Sequence, residues 1–232
     1  MLITPDFVYL HFAKTGGSFV ANHLNKAYPS NSGKVARMLA RALGHTTGVI
    51  NTADYLSWNV PHHAPAGKIP LAFKKKLIVS NIRNPFDRYV SRYYYGGWKI
   101  ESDHAHRLWP SGFPANWPEL SFPEFIESLT DVSTVEGAQS RELKYFFGDA
   151  INTVKFLKFE SLSQDLYKLL MRFNIDRPEI LKNERKLPPT RKETTKIRST
   201  KDKWQSYYDQ TLIERVVAAE AYYFKLFPEY LP

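Results

Sequence analysis

The residues best suited to chemistry fall in two short runs. The first is Lys14-Thr15-Gly16-Gly17-Ser18. Paired glycines let a backbone fold tightly around an anion, and N–H groups freed at the start of a following helix then point at it. Lys14 adds a mobile positive charge, and Thr15 and Ser18 add hydroxyl donors. The second run, LIVSNIRNPFDRYVSRYYY from Leu77 to Tyr95, carries Arg83 and, about two helical turns further on, Ser91. An arginine grips a phosphate through two parallel N–H bonds, and a serine hydroxyl supplies a further donor. Together these residues suit a ligand with more than one phosphate-like group. The plainer alternatives are a tight turn with an incidental lysine and an Arg83 that pairs with Asp87 or Glu160 as structural glue. The first run is not a Walker A loop, in which lysine follows the glycines; here Lys14 precedes them.

The elements that must position these runs can be read from patterning. Phe7 to Phe12 (FVYLHF) reads as a short buried strand ending at the glycine turn, and Ser18 to Ala27 carries a helical pattern. Leu77 to Ile82 reads as a second buried strand, with a helix from Phe86 to about Tyr95 after Pro85, which suits a first helical turn. Val154 to Phe159 reads as a third strand, followed by a helix from Ser161 and Leu162 to about Phe173. Thr211 to Phe227 predicts one terminal helix with Leu212, Val216, Ala219 and Tyr223 on its apolar side. Strands alternating with helices predict an α/β domain: a three-layer, P-loop-like fold with a central parallel sheet flanked by helices. Both runs then fall at carboxyl ends of parallel strands, where such sheets bind ligands. The whole chain, 1–232, reads as one domain. Two stretches resist regular assignment, an aromatic loop at 96–123 and a basic loop at 183–203.

Composition narrows the chemistry. The chain of 232 residues holds no cysteine, so disulfides, thiolate metal sites and a cysteine nucleophile are excluded. Acidic residues are not clustered at ligand spacing and the His62-His63 pair makes no metal site, so no metal is expected. The net charge of +9 suits anionic ligands, but no nucleic-acid-binding module is visible. No signal peptide and no membrane-spanning run is seen. A full-length chain is therefore expected in the cytoplasm, and in the Golgi lumen only if it is a trimmed form.

With these residues in hand, a family likeness emerges. HFAKTGGSF resembles the 5'-phosphosulfate-binding loop of sulfotransferases that use PAPS (3'-phosphoadenosine 5'-phosphosulfate), and IVSNIRNPFDRYVSRYY resembles their 3'-phosphate-binding motif. FLKFESLSQDL resembles the family's third-strand segment, and WQSYYDQTLIERVVAAEAYYFKLFPEY its terminal helix. The pattern leans towards the carbohydrate-type branch and its bacterial relatives. The resemblance implies PAPS as donor, PAP as product, and transfer of a sulfuryl group to an acceptor hydroxyl, with a glycan among the candidate acceptors. It implies that Lys14 touches the leaving phosphate and sulfuryl oxygens, that Thr15, Gly16, Gly17, Ser18 and Phe19 wrap the 5'-phosphate, and that Arg83 and Ser91 bind the 3'-phosphate. A C-terminal basic loop closes over the nucleotide in the family. Lys196, Arg198 and Ser199 are the candidates for it, although the family's Arg-Lys-Gly sequence is absent.

Sulfuryl transfer, like phosphoryl transfer, rests on positioning and charge stabilisation. The acceptor needs a general base with a pKa near neutral, which favours histidine. His63 is the first choice, in a His-Ala-x-Ala stretch between the two runs that resembles bacterial relatives, and His45 is the second. His11 is expected inside the first strand, in a donor-site or packing role. His104 and His106 sit in the long loop as candidates to face the acceptor, and Glu101 or Asp103 is the alternative, a carboxylate base. Trp98, Trp109, Phe113 and Trp117 are candidates to stack on a sugar ring or to form a packed lid. The sequence is compatible with a homodimer. Two rival readings remain: a nucleotide-dependent phosphotransferase of the P-loop type, and a non-catalytic module that binds nucleotide or polyanion.

Overall fold

In the computed structural model of the chain, which describes residues 1–29, 42–52, 63–131, 136–182 and 203–232, β-rich runs pair into one sheet. The strands are β1 (Leu2–Ile3), β2 (Phe7–Leu10), β3 (Ile50–Asn51), β4 (Leu77–Ile82) and β5 (Lys155–Lys158), in the order β3-β1-β2-β4-β5. The helices are α1 (Gly17–Ala27), α2 (Pro85–Tyr95), α3 (Asp103–Leu108), α4 (Phe122–Leu129), α5 (Ala138–Phe147), α6 (Leu162–Met171), α7 (Glu179–Lys182), α8 (Gln210–Ala219) and α9 (Ala221–Leu226). The chain is thus α/β, with its sheet flanked by helices, as the patterning predicts.

β2, β4 and β5 pair in parallel, while β1 runs antiparallel to both of its neighbours. The link from β1 to β2 is only Thr4 to Asp6, and a parallel return needs a crossover of about a dozen residues or more. Thr4 shapes that link: its Oγ1 accepts from Phe7 N–H at 2.9 Å and donates to Phe7 O at 2.8 Å. Strands as short as β1 and β3 carry no period-2 signal, which is why the sequence pattern misses them.

Two compact units divide the chain: Met1–Arg83 with Phe146–Lys186, and Asn84–Tyr145 with Leu187–Pro232. The first holds the sheet. On one of its faces Phe7, Tyr9, Val79 and Leu157 pack with Val20 and Leu24 of α1 and with Leu162, Leu166, Leu169 and Leu170 of α6. Each such side chain contributes roughly 1.5–3 kcal/mol when fully buried, so this cluster fixes α1 and α6 against the sheet. On the other face Phe147 lies 5.1 Å from Phe156, and past the end of β2 it lies 5.3 Å from Phe12.

The second unit starts with α2. Asn84 caps it by accepting from the N–H groups of Phe86 and Asp87, Pro85 occupies its first turn, and Gly96 closes it at φ 71°. The buried guanidinium groups of Arg88 and Arg92 both meet Glu142, at 2.9 and 2.8 Å. The single terminal helix expected from Thr211 to Phe227 is instead two, parted at Glu220. The Glu220 carboxylate accepts from Gln139 N–H at 3.0 Å, from Ser140 N–H at 2.6 Å and from the Tyr89 hydroxyl. It thereby serves the unsatisfied donors at the start of α5, a long-range contact that helical periodicity does not carry. The 96–123 stretch is also more regular than expected, with a short 3-10 turn at Gly97–Lys99, the helix α3 and the start of α4.

Candidate functional site

β2 and β4 pair with Leu10 opposite Ser80, so the residues that follow Leu10 run beside the last residues of β4. Three polar side chains at that end reach across to the loop backbone. Ser80 Oγ donates to Leu10 O at 2.8 Å, Asn81 Nδ2 to Thr15 O at 3.1 Å, and Arg83 Nη1 to Lys14 O at 3.1 Å. The loop is therefore shaped by β4 as much as by its own glycines. Sequence patterning does not single out Ser80 and Asn81; the one signal for them is two polar residues inside an otherwise apolar strand.

The loop holds two left-handed residues in a row of three, Lys14 at φ 64° and Gly16 at φ 92°. A side-chain-bearing residue in that region costs about 1–2 kcal/mol. Backbone hydrogen bonds worth roughly 0.5–1.5 kcal/mol each offset such a cost. Glycine is required at 16 for space as well as for φ: an added Cβ would lie 2.6 Å from Leu162 Cδ2 and 3.0 Å from Phe159 Cδ2. At Gly17 an added Cβ would lie 1.8 Å from Cδ2 of His11, whose ring rests on the loop. Thr15 is fully buried and donates its hydroxyl to Phe12 O at 2.7 Å, so it shapes the turn. Ser18 is exposed. Phe19 N–H bonds to Gly16 O at 3.0 Å, and its ring packs on His23 at 4.5 Å.

The start of α1 suits an anion. Its cap residue, Gly16, makes no side-chain hydrogen bond to it, and no acidic residue stands in its first turn. The positive end of the helix dipole is thus left uncompensated by α1 itself. Lys14, half-buried, stands beside it. Arg83 is 7% exposed, with its guanidinium carbon 4.0 Å from the centre of the Phe159 ring. These residues fit a phosphate-bearing group.

His63 joins this loop through His11. Its Nδ1 lies 2.8 Å from His11 O, and the two rings are 4.4 Å apart. A carbonyl oxygen only accepts, so Nδ1 carries the proton of the neutral ring and the basic lone pair sits on Nε2. His63 is exposed, whereas His11 is 8% exposed and stands just past the end of β2, not within it. Nearby in the sheet, the hydroxyl of Tyr9 and Oδ1 of Asn81 are buried without a hydrogen-bond partner. Burial pushes the Tyr9 phenol far above its ordinary value, against the neighbouring Asn81 amide.

Other candidates lie elsewhere. His45 is exposed, next to Gly44, which packs on the Ala72 carbonyl. Ser91 is half-buried on α2 in the second unit. Lys196, Arg198 and Ser199 lie outside the described residues. In the aromatic stretch Trp98 is fully buried and Trp109 is 5% exposed, packed among Tyr93 and Phe125, so these two form core and do not present a stacking face. Phe113 and Trp117 stack on each other at 4.3 Å and are half-buried. His106 pairs with Glu101 at 3.3 Å, and Asp103 stands in the first turn of α3. Among the described residues no helix is long and apolar enough to cross a membrane.

No family model and no curated protein matches the chain. Among solved structures, mouse sulfotransferase SULT7A1 complexed with PAP matches over 98% of this chain and 84% of that one, at 16% identity and a TM-score of 0.45. At that level the likeness carries no weight for activity.

Proposed function

We propose that the chain is a sulfotransferase that moves a sulfuryl group from PAPS to an acceptor hydroxyl. The observation that supports this best is the linkage of an anion loop to an oriented imidazole: the His11 ring rests on Gly17 while the His11 carbonyl holds Nδ1 of His63. In this reading the first turn of α1, with Ser18, holds the 5'-phosphate end of the donor. Lys14 offsets the negative charge that grows on the bridging oxygen as its bond to sulfur breaks; such contacts are worth about 2.7–4 kcal/mol in a site closed to water. The acceptor oxygen bonds to sulfur as its proton passes to Nε2 of His63, and PAP leaves. Arg83 keeps the 3'-phosphate role that its motif implies. The acceptor is a hydroxyl compound, with a carbohydrate favoured by the branch that the motifs resemble.

Thermal unfolding with PAP, ATP and ADP at matched concentrations tests the donor. A ligand at about one hundred times its Kd stabilises by about 2.7 kcal/mol. A shift selective for PAP, lost in Lys14→Ala, is expected and leads to turnover assays with PAPS and a panel of sugars. Equal shifts from ATP and PAP would favour a phosphotransferase. PAP binding without turnover on any hydroxyl acceptor would favour a binding module.

A further inference from the structure

We infer that Arg83 is a positioning residue for Lys14: its bond to the Lys14 carbonyl holds the anion loop in its active shape, so its loss harms every ligand of the loop and not only those with a 3'-phosphate. This rests on the donor reading above and deepens it.

Several observations converge on that role. Lys14 is a non-glycine residue at φ 64°, a conformation that persists only when its surroundings over-determine it. Arg83 Nη1 donates to its carbonyl at 3.1 Å. The Arg83 guanidinium is itself held, buried to 7% exposure and lying 4.0 Å over the Phe159 ring. Phe159 in turn walls Gly16, the second left-handed residue of the loop, where an added Cβ would meet it at 3.0 Å. Arg83 and Phe159 therefore brace the loop at positions 14 and 16 from the ends of two neighbouring parallel strands, β4 and β5. The chemistry explains why the residue is arginine. A planar, delocalised guanidinium can lie on a ring and donate in its own plane at once, which the point charge of lysine cannot do.

The test compares PAP with 5'-AMP, which lacks the 3'-phosphate, in the full chain. Relative to wild type, calorimetric affinities of Arg83→Gln and Arg83→Lys are expected to weaken about tenfold for 5'-AMP, and by at least that factor for PAP, which also loses its 3'-phosphate contact. With PAPS, kcat is expected to fall by a larger factor than KM rises, because the ammonium of Lys14 acts on the leaving group. Glycine adopts a left-handed φ without strain, so it supplies a rescue: Lys14→Gly/Arg83→Gln should bind AMP as well as Lys14→Gly alone. Lys14→Ala/Arg83→Gln should bind it more weakly than Lys14→Ala alone. Loss confined to PAP, with AMP unchanged, would overturn the inference and leave Arg83 as a 3'-phosphate ligand only.

Amide hydrogen exchange on ligand-free protein separates this inference from the donor reading. Faster exchange at residues 14–18 in Phe159→Leu, which keeps the arginine, and in Arg83→Lys is expected, with the rest of the sheet unchanged. Unchanged loop exchange in both variants would overturn the positioning role even if PAP binds. If wild type binds neither nucleotide, the donor reading falls and the exchange result alone decides the role of Arg83.

Discussion

Buried arginines hold different groups in the two units. In the second unit Arg88 and Arg92, both buried, converge on the Glu142 carboxylate at 2.9 and 2.8 Å, while Gln139 Oε1 accepts from Arg88 at 3.1 Å. In the first unit Arg83 donates to a backbone carbonyl and lies on an aromatic ring. A guanidinium set against a buried carboxylate ties two helices, α2 and α5, together. One that donates to a backbone carbonyl fixes the course of the chain at that point. The difference teaches how to separate structural from functional arginines in a chain with a net charge of +9: what matters is what each one holds.

The comparison is sharpened most by Glu142→Ala. Removing one partner of a buried ion pair costs about 3–5 kcal/mol, so chemical denaturation should show a large loss of stability, with PAP affinity of the folded fraction unchanged. Lys14→Ala should do the reverse. A fall in kcat equivalent to about 2.7–4 kcal/mol, seen in turnover with PAPS, should come with little change in the unfolding midpoint of the ligand-free protein. If both variants lost stability and turnover together, the division between the units would break.

Glu220 gives a pH test. Burial is the chief cause that raises its carboxyl above the ordinary 4.5, against the donors from Tyr89, Ser140 and Gln139 that pull it down. A folded-state pKa above the unfolded one means that the folded chain holds more protons in that window. The stability from this group is therefore full below its unfolded pKa and is lost as pH rises through the folded one. Unfolding curves across mildly acidic pH should show that loss in wild type and a flatter profile in Glu220→Gln; identical slopes would refute it. The smallest effect expected is at the cap of α8, where Asp209 Oδ1 accepts from Leu212 N–H at 2.8 Å. Asp209→Ala should lower stability by about 1 kcal/mol and leave nucleotide binding as it is.

The sequence by itself determined the elements with strong local signals. The apolar run at Leu77–Ile82 is the observed strand to the residue, and α1, α2 and α6 begin within a residue of where the pattern starts them. It also marked out the glycine loop, because glycines between a strand and a helix restrict what the backbone can do there. Tertiary structure decided the rest. β1 and β3 exist only because each finds a partner across the sheet, and a two-residue strand has no period to read. The terminal helix parts at Glu220, whose carboxylate serves the start of α5, about eighty residues away in the chain. Trp98 and Trp109 turn inward because other aromatic rings reach them, which composition does not specify. The roles of Ser80, Asn81 and Arg83 in shaping the loop follow from the parallel register of β2 and β4. Register is a long-range choice, set by which faces are buried and not by any one segment.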